Sequence, residues 1–296
     1  TYGPPFIEAN VTVSGPAPIT RPQPDYVLLT ATLGSEQPQF GLQADGLWAP
    51  GGLAVSPDGG TFAIADGVNS RMKVFTGGGR ARAILMNTIP APEGHDLGGD
   101  VVMDGEGNIY VLGHSFQTLE VLRFHLGDDQ VETYPIAETL SPSRLFLEGE
   151  NLWVQGADQK SYPVAGIGPT LSPEWYGEKL GAPTGGYVVA VTSAKSPTVS
   201  IEVSSPEGEP RKLFDISSPD LHIAYADILG TDSMGNLYVR LDLQPTEDWM
   251  GTASQLIVAL SPAGEKIGEL RLPYGGYIGS GQICLGADGT VYELLT

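Results

Sequence analysis

The sequence predicts an all-β fold built from six repeats of one structural unit. A turn followed by a strand with an aromatic residue recurs along the chain, on average about every 46 residues, a spacing typical of β-propeller blades. The chain has 40 glycines and 24 prolines, interrupted throughout by apolar runs, which is typical of a turn-rich β protein rather than a disordered chain. The aromatic residues that mark the repeats are Phe62, Tyr110, Trp153, Tyr187, Tyr238 and Tyr292.

The clearest repeat is the stretch Ala49–Thr76, where the pattern predicts three short strands. Apolar runs at 53–55 and 62–65 flank the turn sequence Pro57-Asp58-Gly59-Gly60, in which glycine supplies the positive φ of a tight hairpin. A second turn leads into residues 72–75, which alternate between two faces as a strand does. A single blade cannot bury both of its faces, so further blades are expected to stack against it.

Within this stretch the chain resembles an NHL repeat, a family of β-propeller proteins with one four-stranded blade per repeat. The resemblance implies a six-bladed β-propeller of four-stranded antiparallel blades. It also implies structural roles for Asp66 and Arg71, as hydrogen-bond partners of turn backbone and neighbouring blades. The residues that carry it are Gly51-Gly52-Leu53-Ala54-Val55, Asp58-Gly59, Ile64-Ala65-Asp66, Asn69, Arg71 and Val74-Phe75.

The two ends of the propeller sequence predict how its ring closes. Asp25–Gly34 has the pattern of a strong strand, whereas the last repeat supplies only two strands within residues 282–295. We expect Tyr26–Leu33 to pair with the strands of 282–295 in one blade, because closure by the N- and C-terminal strands removes exposed sheet edges. Residues 25–296 would then form a single propeller domain.

Residues 1–24 form a proline-rich arm with one candidate strand, Ile7–Val13. This strand could add to the outside of the last blade of its own ring. Alternatively, the arm could be a tether, or a strand donated to a neighbouring subunit by β-augmentation. The chain starts with Thr rather than Met, so we expect a processed protein located outside the cytoplasm, whether periplasmic, secreted or held at the cell surface by a lipid anchor.

Composition restricts the classes of partner. The net charge is −20 with acidic residues scattered along the chain, which argues against nucleic acid and against anionic lipid as partners. A transmembrane helix requires about 18 consecutive apolar residues, and no apolar run in the sequence is that long. The single cysteine, Cys284, lies in an apolar run, where we interpret it as a small buried hydrophobe rather than a reactive thiol.

One rim of the predicted propeller carries the candidate binding residues. In this fold the loops between strands 2 and 3, and between consecutive blades, lie on one face, where variable loops bind ligands and partners. We expect Trp175 and Trp249 to be contact anchors in long loops, or alternatively plugs that fold back onto the blades. The top-face candidates are His95, Asp96, His114, Trp175, Tyr176, His222, Tyr225, Asp248 and Trp249.

The starts of the inner strands offer a candidate cation site at the propeller axis. Asp100 and Asp227 could bind a divalent cation such as Ca²⁺, together with backbone carbonyls and water. They could equally be solvated carboxylates at the channel mouth, paired with Arg144, near which Gln282 would also lie. No other cofactor is predicted.

The sequence predicts a non-catalytic binding or assembly module with a protein partner or a small ligand. The alternative is a metal-dependent lactonase, since gluconolactonase-like six-bladed propellers hold an axial cation with a Glu, two Asn and an Asp. That Asp could correspond to Asp227 or Asp100, but Gly52 and Leu53 stand where the Glu is required. Motifs for zinc proteases, P-loops and dinucleotide binding are also absent from the sequence.

Overall fold

A computed structural model gives the structure of the protein over most of its length. Apart from one short 3-10 helix at Gly67–Asn69, every regular element of the described residues is a β-strand. The described residues are 9–13, 27–41, 50–77, 82–115, 118–137, 140–158, 160–168, 175–176, 178–179, 187–192, 196–204, 211–245, 254–272 and 283–294.

The strands follow one another closely along the chain. In chain order they are β1 (Ala9–Thr12), β2 (Gly52–Val55), β3 (Thr61–Asp66), β4 (Arg71–Thr76), β5 (Ile84–Pro90), β6 (His95–Met103), β7 (Ile109–Ser115), β8 (Thr118–Phe124), β9 (Val131–Ile136), β10 (Arg144–Glu148), β11 (Asn151–Gln155), β12 (Lys160–Pro163), β13 (Trp175–Tyr176), β14 (Glu178–Lys179), β15 (Tyr187–Thr192), β16 (Thr198–Ser204), β17 (Arg211–Ser217), β18 (Leu221–Thr231), β19 (Leu237–Pro245), β20 (Ser254–Leu260), β21 (Lys266–Leu272), β22 (Ile283–Leu285) and β23 (Val291–Glu293).

The chain divides into two compact units. Unit 1 comprises Thr1–Pro24 and Trp175–Tyr274, and unit 2 comprises Asp25–Glu174 and Gly275–Thr296. In unit 2, strands β2 to β5 form one four-stranded antiparallel sheet and β6 to β9 another, each paired in chain order. Strands β10 to β12 pair in the same consecutive way, and β22 pairs with β23.

Unit 1 repeats this architecture. Strands β18 to β21 form a four-stranded antiparallel sheet, and the neighbouring sheet has the order β14-β15-β16-β17-β1. Apolar side chains of both sheets, including Ile201, Phe214, Val239 and Leu241, form one buried cluster. The architecture is therefore all-β, with several antiparallel sheets of four consecutive strands, as expected for a propeller.

Turn chemistry explains why the hairpins form where they do. Asp104 and Asp232 each begin a turn of the pattern Asp-x-x-Gly-Asn-x-Tyr, and each carboxylate binds two backbone amides, the Asn side chain and the Tyr hydroxyl. The glycines of the two turns, Gly107 and Gly235, have φ of 88° and 82°, a conformation that other residues adopt only with strain. A local sequence signal therefore sets the register of β6–β7 and β18–β19.

The predicted closing strand at Asp25–Gly34 is not formed over its described residues. Residues 27–32 have no strand conformation, and Leu33 makes only an isolated parallel bridge to Phe40. Among the described residues β22 and β23 pair only with each other, so the predicted pairing with Tyr26–Leu33 is not seen. Leu28 and Leu29 nevertheless pack against the same apolar cluster as Tyr292, which brings side chains from the two regions together.

The arm strand pairs within its own chain, but not with the last repeat. The strand β1 runs parallel to β17 at the edge of that sheet, with Val11 opposite Ile216. Val11 and Val13 are buried in the unit 1 cluster, and the Lys266 ammonium donates a hydrogen bond to the Thr12 carbonyl. The prediction of a strand within Ile7–Val13 is thus confirmed over Ala9–Thr12, and its placement on the last blade is wrong.

Deleting residues 1–14 should lower the free energy of unfolding by about 2–4 kcal/mol, because two buried valines are removed, with part of the loss offset by chain entropy. The measurements are urea denaturation and the particle mass from light scattering. The mass should stay at the wild-type value, and deletion of 1–8, which leaves β1 in place, is the matched control. Unchanged stability together with a smaller particle would favour a donated strand instead.

No helix long and apolar enough to span a membrane occurs among the described residues.

Candidate functional site

Three of the predicted top-face residues lie together at one end of a unit 2 sheet. His95 and Asp96 begin β6 and His114 lies near the end of β7, so that His95 pairs with Ser115 and Asp96 with His114. The sequence placed His95 and Asp96 in a loop at 87–99, but only residues 91–94 connect the two strands. We call His95, Asp96, His114 and Glu120 the rim cluster.

The buried part of the rim cluster is a close contact between the His95 ring and the Glu120 carboxylate. The Nε2 atom of His95 lies 3.1 Å from Oε1 of Glu120, a side chain that β8 carries into the protein. The Nδ1 atom of the same ring lies 3.2 Å from the carbonyl oxygen of Pro92 and 3.1 Å from that of Glu93. Both ring nitrogens therefore lie within hydrogen-bond distance of an oxygen atom of the protein, which fixes the orientation of the ring.

The exposed part of the rim cluster is the pair His114 and Asp96. Nε2 of His114 lies 3.5 Å from Oδ2 of Asp96, and the two side chains are 51% and 66% exposed. A polar pair this exposed contributes little to folding stability. These two side chains are consequently available to contact a partner at little cost to the fold.

The carboxylate of Asp100 joins two inner strands of unit 2. Its Oδ2 accepts a hydrogen bond of 2.9 Å from the backbone amide of Leu145, next to Arg144 at the start of β10. Within the described ranges, no group of three or more His, Cys, Asp or Glu side chains could hold a metal ion. The Ca²⁺ site at Asp100 and Asp227 stays a prediction.

The close approach of β2 and β6 bears on the Glu that the lactonase alternative requires at the start of β2. A Cβ atom on Gly52 would lie 2.7 Å from the carbonyl oxygen of Gly99, well inside van der Waals contact. A Glu side chain could not occupy this position unless the backbone moved. Within β2, position 52 therefore leaves no room for the Glu of a gluconolactonase-like cation site.

The other candidates from β18 also lie in a strand rather than in a loop. The sequence predicted a loop at Ser217–Asp227, but His222, Tyr225 and Asp227 all belong to β18. The pairing of β18 with β19 has two register shifts. Because of these shifts, the apolar residues of β18 can stay on one face although apolar and polar residues do not alternate regularly along it.

The opposite face of this unit 1 sheet is polar. Residues 237, 239, 241 and 243 of β19 are fully buried in the apolar cluster, and the alternating residues Arg240 and Asp242 face the other way. In register, Asp227 pairs with Arg240, Tyr225 with Asp242, and Asp242 with Gln255 of β20. We call Tyr225, Asp227, Arg240, Asp242 and Gln255 the polar face.

Sequence reasoning missed several residues of the two clusters, namely Glu120, Arg240, Asp242 and Gln255. The signal for two of them is present in Leu237-Tyr-Val-Arg-Leu-Asp-Leu-Gln244, where large apolar residues alternate strictly with polar ones. Arg and Asp two positions apart on such a strand lie on one face and can form a bidentate pair.

Two further groups of candidates have limited or no structural description. Trp175 and Tyr176 form β13, whose side chains are outside the described part of the chain, and Asp248, Trp249 and Gln282 also lie outside it. Their predicted roles stay predictions.

The lone cysteine is partly buried and packs against the apolar cluster that contains Phe62 and Phe75. Burial raises the pKa of the Cys284 thiol, and the nearby Asp100 carboxylate raises it further. The side chain is therefore a neutral thiol at physiological pH, which agrees with the interpretation as a small hydrophobe.

Comparisons with known proteins show the fold class. No protein-family model matches the chain, and no curated protein matches it significantly. Hydrazine synthase of Kuenenia stuttgartiensis is 13% identical, with 86% of this chain and 75% of that chain covered and a TM-score of 0.50. A DUF4221 family member from Bacteroides vulgatus is 11% identical, with 86% and 89% covered and a TM-score of 0.49.

A third similar structure is the periplasmic gluconolactonase of Pseudomonas aeruginosa, at 13% identity, with 83% of this chain and 84% of that chain covered and a TM-score of 0.43. At such identities structural likeness shows the fold alone. The chain is an all-β protein of the β-propeller type.

Proposed function

We propose that the protein is a non-catalytic binding module, a six-bladed NHL-like propeller located outside the cytoplasm that binds a protein partner or a small ligand through the rim cluster. One observation carries the proposal. At the sheet end where β6 begins and β7 ends, His114 and Asp96 form an exposed pair that contributes little to the fold.

The charge around this pair suits recognition rather than catalysis. Nε2 of His95 faces the buried Glu120 and Nδ1 faces two backbone carbonyls, so both nitrogens of the ring are engaged within the protein rather than open to a substrate. The outer pair of His114 and Asp96 presents one donor and one acceptor to solvent, which suits a polar contact with a ligand.

The test compares the double variant Asp96→Asn/His114→Gln with wild type in a thermal-shift screen against a metabolite library and a peptide array. We expect at least one ligand that stabilises wild type to bind the double variant at least about tenfold more weakly, because two exposed polar contacts are lost. The matched control is Glu106→Gln, an exposed change in the turn at the other end of the β6–β7 hairpin, which should bind normally.

Two results would contradict the proposal. Ligands that bind wild type and the double variant equally would exclude the rim cluster as the binding site. Hydrolysis of a lactone in the presence of Ca²⁺, Mn²⁺ or Zn²⁺, lost in Asp227→Ala, would replace the proposal with the lactonase alternative.

A further inference from the structure

The polar face of β18–β20 has features that sheet formation does not require. Arg240 is 3% exposed, although the neighbouring residues of β19 already fill the apolar cluster on the other side of the sheet. Burying a guanidinium is costly unless its charge and its donors are satisfied. The contacts of Arg240 therefore indicate what this face can bind.

Two of the three nitrogens of Arg240 are held by one carboxylate. Nε donates to Oδ1 of Asp242 at 3.2 Å, and Nη2 donates to Oδ2 at 3.1 Å. The ring of Tyr225 lies over the same group, with its centroid 5.7 Å from Cζ of Arg240. The bidentate pair and the ring together fix the plane of the guanidinium, and with it the direction of the remaining nitrogen.

That remaining nitrogen is without a partner. In the part of the chain that the structure describes, Nη1 of Arg240 is buried and has no hydrogen-bond acceptor. The Oε1 atom of Gln255 is also buried there and has no hydrogen-bond donor. An unmatched donor and an unmatched acceptor on one face each carry a desolvation cost, which a ligand that pairs with both would remove.

The register places these two side chains within reach of a common ligand. Gln255 lies opposite Asp242, and Ile257 lies opposite Arg240, so Arg240 and Gln255 are diagonal neighbours on the same face. Diagonal neighbours across an antiparallel pair are about 7–8 Å apart at the backbone, a distance that two long side chains can bridge with one bound group between them.

Charge selects a neutral ligand. The face holds one guanidinium and two carboxylates, because Asp227 lies opposite Arg240 in addition to the bound Asp242. An anionic ligand would be repelled by the two carboxylates, and a cationic ligand group could not accept a hydrogen bond from Nη1 of Arg240. A hydroxyl oxygen accepts from Nη1 while its proton is donated to Oε1, so a single atom satisfies both groups.

We propose that the polar face binds a small neutral polyhydroxylated molecule, with one hydroxyl between Nη1 of Arg240 and Oε1 of Gln255 and its carbon skeleton against the ring of Tyr225. Tyr225 is 43% exposed and its ring lies over the guanidinium, so the proposed site borders the solvent at this side chain. All five residues of the polar face belong to unit 1, and none of them is a residue of the rim cluster.

The experiment titrates the full chain with glycerol, erythritol, myo-inositol and D-glucose by isothermal calorimetry, with acetate and ethylammonium as charged probes. We expect saturable binding of at least one polyol at one site per chain, and no binding of either charged probe. Gln255→Leu should weaken this binding at least tenfold and should not lower the melting temperature, because it removes an unpaired buried acceptor without changing the side-chain volume much.

Matched variants keep the result interpretable. Glu265→Gln, in the exposed β20–β21 turn of the same sheet, should bind as wild type does, and so should the rim-cluster variant Asp96→Asn/His114→Gln. Absence of polyol binding to wild type, equal binding to Gln255→Leu, or binding of acetate in place of the polyol would each overturn the proposal. None of these results would affect the rim cluster, which the other variants test.

Discussion

Replacing Asp66 with alanine should lower the free energy of unfolding by about 3–5 kcal/mol, because it leaves buried cations without their counter-charge. The Asp66 side chain is completely buried, and its Oδ2 lies 2.8 Å from Nε of Arg71 and 3.4 Å from Nζ of Lys73. Its Oδ1 accepts a 2.7 Å hydrogen bond from the backbone amide of Gly41. Urea denaturation measures the loss.

The same network holds the segment before β2 in place. The Arg71 guanidinium donates to the carbonyl oxygens of Ser35, Glu36 and Gln39, and the Lys73 ammonium lies 3.8 Å from the ring centroid of Phe40. These contacts give Asp66 and Arg71 structural roles as hydrogen-bond partners of the backbone of residues 35–41. The predicted effect of Asp66→Ala therefore extends to residues 34–41, and hydrogen exchange there should accelerate.

A second substitution separates charge from packing. Burial lowers the pKa of Lys73, and the Asp66 carboxylate opposes that shift. In Asp66→Ala the effect of burial on the Lys73 pKa is no longer opposed by the Asp66 carboxylate. The loss of stability relative to wild type should therefore shrink as the pH rises and Lys73 becomes neutral. Adding Lys73→Met to Asp66→Ala should recover part of the lost free energy of unfolding at pH 7. As a control, Asp58→Asn, at an exposed position, should change the free energy of unfolding little. A loss below about 1 kcal/mol in Asp66→Ala would contradict this account.

The repeats were predictable because their signals are local. All six aromatic residues that mark the repeats in the sequence lie in β-strands, and in each case the strand is the second of its sheet. Turn geometry depends on a few adjacent residues, such as Asp104 to Asn108, whose hydrogen bonds stay within the turn. Sequence reasoning therefore located these hairpins without knowledge of the remaining contacts.

Elements that depend on distant partners were not predictable. Residues 27–32 have a strand-like composition, but the carbonyl of Leu28 bonds the amide of Ala83, and the following residues wrap around Arg71. A loop was predicted at Ser217–Asp227, yet residues 221–227 pair with β19 as part of the longest described strand. The site residue Arg240 was missed for the same reason, since its role depends on a face that only the register reveals.

The turn aspartates are expected to give the second large effect. Asp232→Ala should lower the free energy of unfolding by about 2–4 kcal/mol, because one carboxylate pairs four donors that would otherwise be left unsatisfied. Its hydrogen bonds to the Met234 and Asn236 amides are 2.9 and 3.0 Å, that to the Asn236 side chain is 2.8 Å, and that to the Tyr238 hydroxyl is 3.1 Å. Asp104→Ala removes the equivalent turn in unit 2 and should cost a similar amount.

Acid should produce part of the same loss in the wild-type protein. Burial alone would raise the pKa of Asp232, but the hydrogen bonds from Asn236, Met234 and Tyr238 outweigh it and lower this pKa below its ordinary value. A carboxylate with a depressed pKa stabilises the fold above its unfolded pKa, and the contribution disappears as the pH falls below about 4 through the folded pKa. Wild type should therefore lose stability relative to Asp232→Ala between about pH 4 and 2, and a difference between the two proteins that stays constant over this range would contradict the assignment.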